Sequence, residues 1–412
     1  MALLTRRNAR RVSAVGSVLG VLVITSATLA PQAAAVDVQS KEWYLDAMGA
    51  DDIWKISTGK GVKVAVIDGG VNPATTSLKG QVLVDEVPAS VSYHVTHDNS
   101  GHGTSMAEII AGTGAGGGIK GLAPDAKIIP FRVDTGDLRG SDEISKTPEV
   151  AKAIRAAADG NAKIINMSLG GGPTGGDVEG AVKYAVAKGK LLFASIGNDG
   201  DKGNMPSYPA NYPGVIGVSA IDKSGTVGKF STYGDYVDLA APGLHIPSWC
   251  DGKFNEYCDS DGTSPASAIA SASAALVWSA HPDWTANQVL RTLIDTAARS
   301  WPKGKPSKYL GYGGIRPRRV LINKDINPGP AKVDPLAKEN GVGTSATSSP
   351  SDKAPSGKPS KDAGSANGPT SAAAKDTDSG GDTQTWVIIG AVAAVLVIGG
   401  AGFAVLRARR NA

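Results

Sequence analysis

Apolar residues fall in short, nearly unbroken runs, separated by longer stretches in which apolar positions recur at helical spacing. The runs Val62–Ile67, Lys127–Val133, Lys163–Met167, Leu191–Ile196, Val215–Val218 and Tyr236–Ala240 predict strands. Thr104–Ala111, Pro148–Ala158, Val178–Ala187, Ser264–Ala280 and Thr285–Ala297 predict helices. A strand without a polar face is buried on both sides, as happens when helices cover both faces of a parallel sheet. The expected fold is therefore α/β, three layers deep, with a mainly parallel sheet between two helical layers. Ligand crevices of such sheets lie beyond the carboxyl ends of the strands. Asp68 and Asn198 both sit just past strand ends.

The same pattern sets the chain apart from its own termini. Residues 1–35 combine Arg6, Arg7, Arg10 and Arg11, an apolar stretch over Ala14–Leu29 and the small residues Ala33-Ala34-Ala35. That is the form of an export signal. Residues 36–60 are expected to extend the domain at its start, and residues 61–325 to form the domain proper. From 326 to 385 the composition turns to Pro, Ser, Gly, Lys, Asp and Ala, which cannot bury enough apolar surface to offset the entropy of ordering. A flexible linker is expected there. Trp386–Leu406 is then uncharged over 21 residues. At 1.5 Å per residue it spans roughly 30 Å, the thickness of a bilayer core. Arg407, Arg409 and Arg410 follow and predict a cytoplasmic tail, 407–412, with the bulk of the chain outside. The expected location is the cell membrane, with lipid a partner of the apolar helix.

Charge and cysteine content change little in this picture. The formal net charge of +4 arises from the arginines at the two ends, so the portion between them carries no basic footprint for nucleic acid. Cys250 and Cys258 flank the turn signal Asp251-Gly252 in the exported portion, where a disulfide would persist. Two separate thiols are the alternative. No histidine spacing supports zinc. Gly112-Thr113-Gly114-Ala115-Gly116-Gly117 matches a dinucleotide-binding pattern by letter, but a helix precedes it where a strand is required.

Candidate chemistry rests on three separated segments. Asp68 ends the first strand run, His102 lies in Gly101-His102-Gly103-Thr104, and Ser264 ends Gly262-Thr263-Ser264 at the start of a small-residue helix. A serine hydroxyl is a weak nucleophile until a base takes its proton. An acid that orients an imidazole, which in turn serves a hydroxyl, is the arrangement that supplies one. Asn198 could donate its amide to an oxyanion, with the Ser264 amide as second donor. His94 and His97 read as solvated loop residues, and His245 and His281 belong to no motif.

With Val64–Asp68, Gly101–Thr104, Gly121–Pro124, Asn166–Gly170, Gly197-Asn198, Asp238–Gly243 and Gly262–Ser264 in this order, residues 41–322 resemble the subtilases, the subtilisin-like serine peptidases. The resemblance implies a subtilisin-like fold, a triad of Asp68, His102 and Ser264, Asn198 as oxyanion donor, and Ser168, Leu169 and Gly170 as a strand that pairs with substrate. It implies polypeptide substrates and no cofactor. Calcium binding occurs in the family, but no acidic run here marks a metal site. The layout of export signal, cysteine pair and terminal anchor is most similar to the mycosins associated with type VII secretion, which implies a membrane secretion complex as partner. Two departures stand out. Gly69 occupies a position where the family usually has Thr or Ser, and Pro265-Ala266-Ser267-Ala268 replaces the usual Met-Ala-x-Pro. Residues 36–60 are too short for a folded inhibitory prodomain, so they are expected to pack along the domain or shield its cleft. The reading is an anchored extracytoplasmic serine endopeptidase. The alternative is a mainly structural subunit in which proteolysis is weak or dispensable.

Overall fold

The computed structural model describes residues 38–172 and 177–341; the export signal, the linker from 342 onward, the apolar run 386–406 and the tail lie outside the described residues. Among the described residues no helix is long and apolar enough to cross a membrane.

Six strands build the central sheet: β1 (Lys63–Asp68), β2 (Lys127–Arg132), β3 (Ile164–Met167), β4 (Leu191–Ser195), β5 (Val215–Ile221) and β6 (Leu239–Pro242). They run in the order β2-β1-β3-β4-β5-β6, and every pairing is parallel. The helices are α1 (Trp43–Met48), α2 (Ala50–Trp54), α3 (His102–Ala111), α4 (Ser141–Lys146), α5 (Val150–Asp159), α6 (Asp177–Ala187), α7 (Thr263–Ala280), α8 (Ala286–Thr296) and α9 (Pro317–Ile322). An antiparallel hairpin, β7 (Ile246–Trp249) with β8 (Tyr257–Ser260), stands apart from the sheet.

Successive side chains of a strand point to opposite faces, and the core divides accordingly. Val64, Val66, Ile164, Phe193 and Val218 join one apolar layer with α3 and α7. Ala65, Ile67, Ile165, Leu192 and Ala194 join another with α5 and α6. The three layers expected from the apolar runs are thus present. Helix α7 is the buried axis of the first layer. Its Ala and Ser side chains are small enough to let it lie close against β3, β4, β5 and β6.

Three differences from the sequence reading have physical causes. The last strand of the sheet begins at Leu239 rather than Tyr236, because before it the Gly217 amide of β5 donates to the buried Asp238 side chain, at 2.8 Å, and not to a backbone carbonyl of this segment. The hairpin β7–β8 was not anticipated, since it is short and joined by the Cys250–Cys258 bridge (Cα–Cα 5.1 Å) rather than by a long apolar run. Most consequential is the start of the expected linker. Residues 326–341 pack against the domain. Leu336 is 2% exposed. The carbonyls of Gly329, Ala331 and Val333 accept from Gln288, Thr285 and Arg291 of the α8 segment, and the Asn340 side chain accepts the Gly214 amide at 2.8 Å. A Pro- and Gly-rich composition hides such order, because the partners lie on a distant helix. The described residues of the N-terminal extension also pack along the domain. Trp43, Tyr44 and Trp54 donate to the carbonyls of Leu244, Lys120 and Leu122.

Candidate active site

The chain order β2-β1-β3 reverses direction at β1, so a crevice forms beyond the carboxyl ends of β1 and β3. Asp68 is the last residue of β1. His102 opens α3, and its Nδ1 lies 2.8 Å and 3.1 Å from the two carboxylate oxygens of Asp68. Close approach of the two elements depends on Gly103. A Cβ there would lie 2.2 Å from the Gly70 carbonyl oxygen and 2.9 Å from the Asp68 Cβ. Asp68 is fully buried, and the Gly69 amide donates to its Oδ1 at 2.8 Å. The His102 side chain stays 39% exposed on its other side. Partial loss of hydration opposes its charged form most strongly. The Asp68 charge and hydrogen bond, with Asp98 and Asp137 further off, outweigh that and raise its pKa to about 9.

Ser264 reaches the same crevice from α7. The register of β1 with β3 sets Val66 level with Asn166, so the carboxyl ends of the two strands, at Asp68 and Met167, lie side by side. Ser264 is tied to Ser168 twice. Its carbonyl accepts from the Ser168 hydroxyl at 2.9 Å, and its own hydroxyl donates to the Ser168 carbonyl at 3.1 Å. The hydroxyl is turned to that carbonyl, not to His102. Beneath lies Asn166, fully buried, whose amide donates to Ser168 Oγ and whose carbonyl oxygen accepts from Ser267 and Ser271 of α7. This network pins α7 to the end of β3.

Asn198 follows β4. Its Oδ1 accepts both the amide and the hydroxyl of Thr263 at 3.0 Å. That leaves Nδ2 facing Gly262: an ideal Cβ on Gly262 would sit 3.7 Å from Asn198 Nδ2 and 3.7 Å from the Ser264 amide nitrogen. Two N–H groups therefore border one small space. Leu169 and Gly170 continue from Ser168. The Ser195 hydroxyl donates to the Leu169 carbonyl, and Gly171 exchanges hydrogen bonds with Tyr208. Ser207 Oγ lies 2.2 Å from where a Gly170 Cβ would stand.

Sequence reasoning passed over Asp98. It is 6% exposed, and its carboxylate accepts the amides of Gly101 (2.9 Å) and Thr104 (2.7 Å) and the Thr104 hydroxyl (2.6 Å). It satisfies amides that a helix start leaves open, and so fixes the turn carrying His102. Burial raises its pKa, and nearby Asp68 adds to the rise against those hydrogen bonds. An acid shortly before an apolar helix is a capping signal, but here it lies four positions before His102, further than a simple cap. Gly69, the departure noted above, leaves a gap next to which Thr135 Oγ1 stands, 3.1 Å from an ideal Cβ. Among the described residues no group of three or more His, Cys, Asp or Glu side chains is placed to hold a metal.

The subtilase family model matches residues 59–313. The chain belongs to the subtilase family. It is 38% identical over 264 residues to a thermostable alkaline protease of Halalkalibacterium halodurans, covering 64% of this chain and 68% of that one. It is 37% identical over 243 residues to subtilisin E of Bacillus subtilis, covering 58% and 61%. The chain thus spans about two thirds or less of these relatives. Among solved subtilase structures it is similar to MycP1 of Mycobacterium smegmatis (TM-score 0.58, 27% identity, 71% of this chain and 86% of that one). It is also similar to the MycP3 protease from the type VII (ESX-3) secretion system (TM-score 0.54, 29% identity, 68% and 87%). The chain is a subtilisin-like serine peptidase related to the mycosins.

Proposed function

We propose that Ser264, His102 and Asp68 form the working triad of a serine endopeptidase, with Asn198 Nδ2 and the Ser264 amide as oxyanion donors. The observation that carries this reading is the 2.8 Å contact of His102 Nδ1 with buried Asp68, level with the strand end that holds Ser264. Nδ1–H is held by the carboxylate, so Nε2 is the free base. Ser264 Oγ attacks a peptide carbonyl while Nε2 takes its proton. The carbonyl oxygen becomes an oxyanion between the two N–H donors. The C–N bond then breaks, and His102 gives the proton to the departing amine. Water, deprotonated by the same ring, releases the acyl group and restores Ser264. Before attack the hydroxyl must leave the Ser168 carbonyl. That costs about one hydrogen bond, roughly 0.5–1.5 kcal/mol, and a side-chain rotation of this kind takes picoseconds to nanoseconds.

The substrate is a polypeptide paired with Ser168–Gly170 as an added strand. The export signal and the apolar run 386–406 support a membrane-tethered enzyme acting outside the cytoplasm on exported proteins. The likeness to mycosin structures supports association with a membrane secretion complex. One observation favours a mainly structural subunit instead: the Ser264 hydroxyl is engaged with the Ser168 carbonyl. A fluorophosphonate probe decides. Labelling of the wild type and not of Ser264→Ala supports the peptidase; a folded wild type that stays unlabelled supports the structural role.

A further inference from the structure

Beside His102 a cleft of about 430 Å³ opens between the start of α3 and the β7–β8 hairpin. Ser100 and His102 form one wall; Trp249, the Cys250–Cys258 bridge, Asp259 and Asp261 form the other. None of Ser168, Leu169, Gly170 or Asn198 lines it. On the proposed reading those residues border the acyl half of a bound chain. The cleft instead adjoins the imidazole, and on the triad reading that imidazole delivers a proton to the departing amine, which makes this the side for the half released first.

Two carboxylates line this cleft, and no Lys or Arg does. Ser248 also lines it. That residue is 7% exposed, and its hydroxyl has no partner within the protein. The ammonium paired with a cleft carboxylate comes from far away in sequence: Lys41 Nζ lies 3.2 Å from Asp259 Oδ1, with both side chains about half exposed. The N-terminal segment thus already sets a basic side chain on the rim. Asp261 accepts the His245 amide at 2.7 Å and keeps its side chain 47% exposed. The Cys250–Cys258 bridge and the stacking of Trp249 on Tyr257 (3.8 Å) hold the wall that bears these acids.

We infer that this cleft binds the leaving half of the substrate and selects a basic residue within its first two positions, through Asp259 and Asp261. Lys41 competes for the same charge. The inference rests on the triad reading above, because that reading makes the cleft the leaving side.

Acyl transfer tests it. An amine that intercepts the acyl-enzyme enters by the path along which a leaving amine departs. Its nitrogen bonds to the acyl carbon, Ser264 Oγ departs, and the proton passes through His102. The nucleophiles are lysyl-alaninamide, alanyl-lysinamide, their glutamyl counterparts and neutral alanyl-alaninamide. At low salt the lysine-bearing amines are expected to be captured about tenfold better than the glutamate-bearing ones, the size two partly exposed charge pairs allow. In Asp259→Asn/Asp261→Asn the ratio is expected to fall to about twofold or less. In Lys41→Ala it should rise, and in high salt it should shrink. A ratio near one in the wild type, or one unchanged in the double variant, overturns the inference. Absence of capture by alanyl-alaninamide together with absence of fluorophosphonate labelling overturns the triad reading instead. The cleft is then judged by the affinities of the same amides for Ser264→Ala, measured by calorimetry. Tighter binding of the lysine forms sustains a basic-residue site, and equal affinities refute it.

Discussion

If an oxyanion forms between Asn198 Nδ2 and the Ser264 amide, the methyl of Gly262→Ala should suppress turnover while leaving the fold intact. Gly262 has φ 178°, an extended conformation open to any residue. Its new Cβ would meet Pro265 Cδ at 3.4 Å and both donor nitrogens at 3.7 Å, ordinary contact distances. No hydrogen bond is broken, and a Gly→Ala change at a compatible site stabilises by about 0.4–1 kcal/mol through the unfolded chain. An oxygen held about 2.7–3.1 Å from each donor must share that space with the methyl. Losing one donor costs about 10²–10³ in kcat, roughly 2.7–4 kcal/mol. Asn198→Ala should lose as much activity. It should also lose stability, because the buried Thr263 amide and hydroxyl would keep no acceptor on Asn198, at about 1–3 kcal/mol. The assay is kcat on a chromogenic peptide, normalised by active-site titration, beside a thermal melt of each variant. A Gly262→Ala enzyme with wild-type kcat would show that no oxygen is seated between these donors. A melting point several degrees below wild type would refute the packing argument.

Asn166→Ala removes the amide that joins β3 to Ser267 and Ser271. A thermal melt should show about 2–4 kcal/mol of lost stability, the cost of leaving buried hydroxyls unpaired, and kcat should fall more than KM rises. Leu336→Ala should cost about 2–5 kcal/mol if residues 326–341 belong to the core; an unchanged melt would return them to the linker. The buried acids Glu42 and Glu108 have pKa values raised to about 8 and about 7, in each case chiefly by burial. Acids raised in the folded state stabilise fully below the unfolded value near 4.5, and that stability is lost as pH rises through 7 and 8. Glu108→Gln should therefore match the wild type near pH 5 and melt higher than it near pH 9. kcat/KM should rise between the ordinary imidazole value and about pH 9 as His102 loses its proton, with solvent at the exposed ring moving the limb toward the lower end.

The strands and the candidate positions Asp68, His102 and Ser264 were legible because each is a local signal. Val64–Ile67 needs no distant partner to look like a strand buried on both faces, and Gly101–Thr104 and Gly262–Ser264 carry their own backbone requirements. What stayed hidden depends on residues that meet only in the folded chain. Asn166 is an ordinary polar residue in a strand until α7 sets Ser267 and Ser271 over it. Residues 326–341 look like linker until α8 offers donors to their carbonyls. Asp98 looks like a loop acid until its carboxylate is counted against the open amides of α3.

The same division separates the crevice residues from the buried acids that set how stability varies with pH. On the proposed triad reading, Asp68 with Asp98 and Asp137 sets the proton affinity of His102, whereas the stability of the surrounding fold responds to buried acids outside the crevice. Burial holds a proton on Glu42 and Glu108 where a surface carboxylate would have lost it, and Tyr257 of the hairpin donates to Glu108 at 3.1 Å. The free-base fraction of His102 increases toward alkaline pH, whereas the support that α3 and the hairpin draw from protonated Glu108 diminishes there. Activity and stability therefore pull the working pH in opposite directions. A change at Glu108 or Glu42, both buried, relaxes the conflict without altering any residue that would touch the substrate.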